Sequence, residues 1–305
     1  MNDSSSQNRY KDPHIDLKER DVSISLDYRE GYPLFGLVEF NLWGSCNRRC
    51  SFCPVSYPEI FTNKKEGIVI GDYIKVLDDL RAMEYKGIIL WSMFSEPMLH
   101  KGINELAKVT KQILPDINLQ MTSNGDSFRR RGDKLASLFD AGVDRVNLSL
   151  YDGPEQITLF RKIMGQYQLS FDQVKLRRRY QESGNYGVTI SNRTGLIDSN
   201  KFRDKNESVI MALPLNKTCY YPFYQVAIDY DGGVLLCPHD WSRKYIAGNA
   251  FKDNIWEIWK GPKFSKARKL LANNTRSIDS CISCDVAGDF IGKGNFDAFS
   301  AMENK

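Results

Sequence analysis

No apolar run in the 305-residue chain approaches the length needed to cross a bilayer. The opening stretch MNDSSSQNRYKDPHIDLKER also lacks the apolar core of a secretory signal, so a cytoplasmic, reducing setting is expected. Histidine is scarce: His14, His100 and His239 are the only three, which excludes a metal centre built mainly on imidazole. Charge is nearly balanced, with a net +4, so nothing in it calls for nucleic acid or an anionic membrane as a partner. Internal repeats and low-complexity tracts are absent. Two basic clusters stand out, Arg129 to Arg131 and Lys175 to Arg179, the second in a helical-looking stretch. A solvated helix face is their ordinary reading and a phosphate-binding patch the alternative. The seven cysteines are an odd number in a reducing setting, which makes a disulfide framework the weakest account of them.

With 42% hydrophobic residues the chain can fill one large core or two smaller ones. After a loosely packed lead of about 33 residues, short apolar runs alternate with amphipathic segments. Strands are predicted over 34–43, 87–94, 117–123, 143–151 and 187–193. Helices are predicted over 72–85, 103–114 and 133–142, and across most of 154–183. That alternation predicts an α/β fold with a parallel sheet, closed or partly closed as a barrel. In such a sheet functional residues gather where strands end. The cysteine-rich loop follows the first predicted strand. Ser95 and Glu96 follow the second, and Ser123, Asn124 and Gly125 the third. Ser149 to Asp152 close the fourth, and Asn192 and Arg193 the fifth. Beyond about residue 200 the rhythm changes to a hairpin over 224–241, a helix over 254–271 interrupted near Gly261 and Pro262, a Cys-x2-Cys pair and a polar tail.

Cys46, Cys50 and Cys53 are spaced Cys-x3-Cys-x2-Cys, so their sulfurs can converge on one centre. A structural zinc would need a fourth ligand, which the local sequence does not offer. Three thiolates on a four-iron cluster leave one iron open, and an open position suits a small-molecule cofactor. The loop, with Phe52 before its last cysteine, resembles the signature of the radical SAM enzymes. The resemblance implies a partial (βα)5–6 TIM-like barrel and a three-cysteine [4Fe-4S] cluster whose open iron is chelated by S-adenosyl-L-methionine. It further implies reductive cleavage to a 5′-deoxyadenosyl radical, with a flavodoxin- or ferredoxin-like electron donor. Phe94-Ser95-Glu96 is similar to the family's Gly-Gly-Glu segment, with both glycines replaced. Thr122 to Gly125 resembles its Thr-Asn-Gly segment, and Ser149 its strand-four serine. Arg193 would suit the SAM carboxylate, because a guanidinium can grip a carboxylate with two hydrogen bonds.

Cys219, Cys237, Cys281 and Cys284 form the second set. From spacing alone they suit either a structural zinc or an iron–sulfur cluster. Their order, with Gly232 and the hairpin between, resembles the SPASM/twitch module in its short form, which holds one auxiliary [4Fe-4S] cluster. His239 would then orient the cluster loop by a hydrogen bond rather than ligate iron. The resemblance spans roughly residues 36–290. It divides the chain into a lead (1–33), a radical SAM partial barrel (34–200), a small α+β auxiliary-cluster domain (201–290) and a tail (291–305).

Three plus four uses every cysteine. No thiol remains to donate hydrogen, and a fully ligated auxiliary cluster offers no open iron. The favoured expectation is therefore oxidation of a small sugar- or aminocyclitol-like substrate, with the auxiliary cluster as electron acceptor. Two alternatives stand beside it: a peptide maturase acting on a ribosomally made precursor, and a non-enzymatic zinc or iron–sulfur protein. The proton-accepting residue is not identifiable at this level.

Overall fold

The structure, a computed structural model, describes residues 14–180, 190–202 and 212–303. Its main sheet has eight strands: β1 (Leu37–Phe40), β2 (Ile88–Trp91), β3 (Asn118–Ser123), β4 (Arg145–Leu150), β5 (Val174–Arg178), β6 (Gln225–Ile228), β7 (Gly233–Leu235) and β8 (Ile246–Asn249). Their spatial order is β8-β7-β6-β1-β2-β3-β4-β5. The six strands from β6 to β5 run parallel, and β7 and β8 extend the sheet antiparallel. This is the partial barrel expected from the alternation, and the helices that link its parallel strands lie on its outside.

The helices are α1 (His14–Ile24), α2 (Ile70–Ala82), α3 (Ile103–Ile113), α4 (Asp133–Asp140), α5 (Glu155–Gln166), α6 (Ile255–Lys260), α7 (Pro262–Ala272) and α8 (Lys293–Glu303). In α3 the buried positions Ile103, Leu106, Ala107 and Thr110 fall on one stripe, as a helix laid on a sheet requires. Side chains alternate along each strand. Val38, Phe40, Ile89, Trp91, Leu119, Met121, Val146 and Leu148 join the core under the helices. The opposite face carries the buried polar Glu39, Gln120, Asn147, Ser149 and Gln225, together with Leu37, Ile88 and Leu90, which α1 covers. An apolar outside and this run of polar side chains inside suit a barrel that encloses a polar ligand.

Four expectations need correction. Residues 154–183 are not one helix: α5 stops at Gln166, Gln168 takes φ 54°, and Val174–Arg178 pair with β4 as a strand. The basic cluster at 175–179 therefore lies along an edge strand, where Val174 and Leu176 face the core side and long basic side chains blunt the edge. Of the strand predicted over 187–193, residues 187–189 lie outside the described residues. The remainder is loop, with Arg193 and Thr194 at φ 52° and 58°. The lead is not loosely packed beyond residue 14. Val22 on α1 is fully buried against Leu37, Ile88, Leu90 and Tyr224. Asp21 pairs with Arg145 at 2.5 Å. The tail is likewise helical, with Phe299 buried against Tyr32, Phe223 and Trp259. No helix among the described residues is long and apolar enough to cross a membrane.

The hairpin β6–β7, read from sequence as the start of a separate unit, is continuous with the barrel. Leu37 is in register with Ile88 on one side and Gln225 on the other.

Candidate functional site

The first three cysteines sit in the loop after β1, all partly buried. A network of ions and amides ties this loop to the ends of β3 and β4. Arg48 donates to both Asp126 oxygens and, at 2.7 and 2.9 Å, to both Asp152 oxygens. Arg129 adds a 2.8 Å bond to Asp152. Asn124 donates to Asn47 at 2.8 Å, and Asn47 donates to Asp126 at 2.9 Å. Asn124 Nδ2 also lies 3.8 Å from the Cys46 sulfur, and the Arg48 amide 3.4 Å from it. Arg48, Asn47, Asp126 and Arg129 were missed from sequence. The signal available was an arginine inside a cysteine loop, facing acids at two later strand ends.

The expected site residues fall around this loop. Phe52 packs against Tyr151 at 6.0 Å and Phe202 at 6.2 Å. Ser149 is buried in β4 and hydrogen-bonded to Tyr151. Ser95 donates to Asn41 at 2.6 Å rather than opening into the site. Glu96 is buried and accepts from Ser123 at 2.7 Å, the Asn124 amide at 2.8 Å and the Met98 amide at 3.2 Å. Burial outweighs these bonds and pushes its carboxyl up to about 7. Gly125 takes φ +78° at the end of this turn, and a Cβ there would stand 2.7 Å from the Phe160 ring. Arg193 lies in a separate loop, between Cys53 and the second cysteine set. Its guanidinium sits 5.7 Å from the Trp241 ring centre, one nitrogen donates to Ser191 at 3.1 Å, and its buried Nε has no partner.

That loop is fastened to the second set. Asn192 donates to the Ser283 carbonyl at 2.6 Å and, through its amide, to Asp285 at 2.8 Å. Ser199 donates to Asp285 at 2.9 Å, and Ser283 to the Thr194 carbonyl at 2.7 Å. Cys219, Cys281 and Cys284 are buried, and Cys237 is partly so. Arg276 clamps their loops by donating to the carbonyls of Lys217, Val286 and Ala287. Gly288, at φ +81°, lies so close that a Cβ would stand 2.5 Å from the Cys219 sulfur. His239 shares a 2.9 Å hydrogen bond with Tyr221, and its buried Nδ1 has no partner. Burial keeps the imidazole neutral, down at about 3.

All seven thiols are pushed above the ordinary cysteine value, first by burial. Cys46 and Cys281 rise to about 12, and Cys50 and Cys284 to about 11. Within each set the neighbouring thiolates add to the rise. Cys46 feels Cys53 and Cys50, and Cys237 feels Cys281, Cys284 and Cys219. Two groups of mutually repelling, buried thiols fit a bound metal cluster, whose positive charge would deprotonate them outright. No group of three or more such ligands among the described residues is drawn tightly enough for a single metal ion. Cys46 and Cys53 pack against an apolar cluster that includes Val55, Phe61, Phe94, Leu235 and Trp241.

Comparison with known proteins places these features. The radical SAM superfamily model matches residues 40–201, and an iron-sulfur cluster-binding domain model (SPASM) matches 219–285. The S-adenosyl-L-methionine-dependent 2-deoxy-scyllo-inosamine dehydrogenase of Niallia circulans is 25% identical over 254 residues, covering 83% of this chain and 93% of that protein. The GTP 3′,8-cyclase of Campylobacter curvus is 29% identical over 119 residues, covering 38% of this chain and 34% of that protein. The crystal structure of BtrN in complex with AdoMet and 2-DOIA superposes with a TM-score of 0.68 at 23% identity, covering 84% of this chain and 94% of BtrN.

Proposed function

Because the chain belongs to the radical SAM superfamily, we propose that it is a dehydrogenase that oxidises a hydroxyl-bearing carbon of an aminocyclitol or a related small polyol. The observation that carries this reading is the division of the cysteines. Three lie in the loop after β1, four lie in the second set, and none is left over. A four-iron cluster held by all four cysteines of the second set would leave no open iron for substrate and would be suited to accept an electron. A relative that matches along most of both chains is named for dehydrogenation of 2-deoxy-scyllo-inosamine.

Cys46, Cys50 and Cys53 would hold the SAM-binding cluster, and Cys219, Cys237, Cys281 and Cys284 the auxiliary one. When bound, these clusters supply reductive cleavage of S-adenosyl-L-methionine and a one-electron acceptor. The protein does the rest. Arg48 fixes the first loop against β3 and β4. Glu96 offers a carboxylate for the SAM amino group, with Ser123 and Asn124 holding it in place. The uncommitted Nε edge of Arg193 suits the SAM carboxylate. The buried polar face of Glu39, Gln120, Asn147, Ser149 and Gln225 can hydrogen-bond a polyhydroxylated ring. The apolar cluster around Trp241 shields the Cys46 and Cys53 side of the first loop from water. A flavodoxin- or ferredoxin-like donor and a cytoplasmic setting complete the reading.

The test is iron and sulfide per chain on anaerobically reconstituted protein, with 5′-deoxyadenosine and ketone assayed together on 2-deoxy-scyllo-inosamine and related cyclitols. About eight irons, falling to about four in a Cys46/Cys50/Cys53→Ala variant with nucleoside release lost, supports the two-cluster reading. About four irons with one zinc rules out the second set as electron acceptor.

A further inference from the structure

The turn after β2 that presents Glu96 is not built from residues that favour a tight turn. Phe94 and Ser95 stand where the resembling segment has two glycines. Met93, just before them, takes φ 78°. A residue with a side chain keeps that left-handed conformation only where its surroundings impose it. The turn must therefore be held from outside. One anchor is local: the Glu96 amide donates to the Ser45 carbonyl at 3.3 Å. The others come from the second half of the chain.

Phe94 packs on Trp241 with ring centres 4.6 Å apart. The Arg243 guanidinium lies 5.0 Å from the Phe94 ring centre and 4.7 Å from that of Phe61. Ser95 donates to Asn41 at 2.6 Å, and Asn41 donates to one oxygen of Asp229 at 2.7 Å. Arg243 Nε donates to the other oxygen of Asp229. Asn41 follows β1, Asp229 follows β6, and both are buried. One carboxylate thus joins the end of β1, and through it the Glu96 turn, to a single arginine that also covers Phe94. Arg243 is itself imposed, at φ 54°. Its loop is tied to the second cysteine set: the Arg243 amide donates to the Asp240 carbonyl at 3.0 Å, and the Asp240 amide to the Cys237 carbonyl at 3.2 Å. The buried Asp240 carboxylate accepts from the Tyr245 amide at 2.9 Å and closes that loop on itself.

We propose that Arg243 and Asp229 are positioning residues for S-adenosyl-L-methionine: as a pair they hold the Met93–Glu96 turn in the shape that aims the Glu96 carboxylate at the SAM amino group. The proposal rests on the reading of Glu96 given above. Both residues act through the turn rather than on the cofactor. A buried carboxylate is costly unless a counter-charge and hydrogen bonds satisfy it. Arg243 therefore fixes Asp229, Asp229 fixes Asn41, and Asn41 fixes Ser95. The same guanidinium presses on Phe94 through a cation–π contact. Without it, Asp229 loses its counter-charge and Phe94 its cover, and Met93 is free to relax out of the left-handed region. The aim of Glu96 is then lost while both cysteine sets stay in place.

The test is calorimetry of SAM binding to the reconstituted, unreduced protein, with iron counted on the same samples. Arg243→Met should bind SAM about tenfold more weakly and keep about eight irons. In the reduced enzyme KM for SAM should rise by a similar factor, while 5′-deoxyadenosine release at saturating SAM changes little; the opposite split overturns the proposal. Glu96→Gln should weaken SAM binding too. Combined with Arg243→Met it should bind no more weakly than the worse single variant, because both changes remove the same contact. Losses that multiply overturn the proposal, and so does wild-type affinity in Arg243→Met while Glu96→Gln is impaired. Wild-type affinity in Glu96→Gln instead overturns the reading of Glu96 on which the proposal rests. Where Arg243→Met does not fold, with Asp229 left without its counter-charge, Arg243→Met/Asp229→Asn removes both charges and keeps an acceptor for Asn41. It carries the same expectation, and wild-type SAM affinity in it overturns the proposal.

Discussion

Replacing Arg48 with Met should empty the first cysteine site while leaving the second intact. The Arg48 side chain is 15% exposed, and its partners Asp126 and Asp152 are 26% and 36% exposed. Removing one partner of a fully buried ion pair costs about 3–5 kcal/mol, whereas an exposed pair contributes at most about 1 kcal/mol. This latch lies between those limits, with one guanidinium serving two carboxylates, so the loss should be about 2–3 kcal/mol. Arg48→Lys keeps the charge but cannot grip both acids and should lose about half as much. Arg129 limits the damage at Asp152, from which it stands 2.8 Å. The latch holds Asp152 below the ordinary aspartate value, chiefly through the Arg48 hydrogen bonds. A lowered carboxylate contributes stability that is fully present above its unfolded value of about 3.9 and lost as pH falls through the folded one. The Arg48→Met deficit should therefore be constant from pH 6 to 8. The assay is urea unfolding of the apo protein with iron counted after anaerobic reconstitution. Iron should fall from about eight to about four, and nucleoside release should fall with it. A double-mutant cycle with Asp152→Asn should be non-additive by about 1 kcal/mol. Wild-type iron and unchanged stability in Arg48→Met would refute the view that this latch holds the loop.

Four further outcomes are expected. On the proposed pairing of Glu96 with the SAM ammonium, SAM affinity should weaken below pH 7, by up to tenfold per unit, as the carboxyl gains its proton, and Glu96→Gln should abolish that slope in calorimetry across buffers. The same raised value means that Glu96 lowers apo stability as pH rises from about 4.5 to about 7, the opposite sign to Asp152. Gly288→Ala, strained at φ +81° and crowding Cys219, should lose the auxiliary cluster while SAM cleavage persists in part; full iron occupancy would contradict the close fit described there. A chain ending near residue 201 should be insoluble or unfolded by circular dichroism, because β1 would lack the partner strand that covers one of its edges.

The cysteine sets and the first four strands were legible because each has a local signal: fixed spacing, or an apolar run ended by turn chemistry. The fifth strand was not, because Lys175, Arg177, Arg178 and Arg179 give Val174–Arg178 the look of a polar helix face, and only pairing with β4 makes it a strand. The site was legible as strand ends but not as contacts. Glu96 and Ser123 were both picked, yet their 2.7 Å bond joins residues 27 positions apart. Arg48, by contrast, is decided by acids 78 and 104 positions away. Helix α1 was taken for a loose lead because its apolar stripe is short; Val22 and the charged pair of Asp21 with Arg145 hold it.

The register of Leu37 with Gln225 also sets an order of events at the ribosome. β1 is among the first strands to emerge, yet the strand that covers its second edge is synthesised only after the rest of the parallel array. Contacts of such sequence separation are slow to form and leave an apolar edge exposed in the meantime. The loop that carries Cys46, Cys50 and Cys53 therefore stands, for that interval, beside a sheet whose second edge is still open. Folding of the later half then closes the array beside the loop that carries those three cysteines.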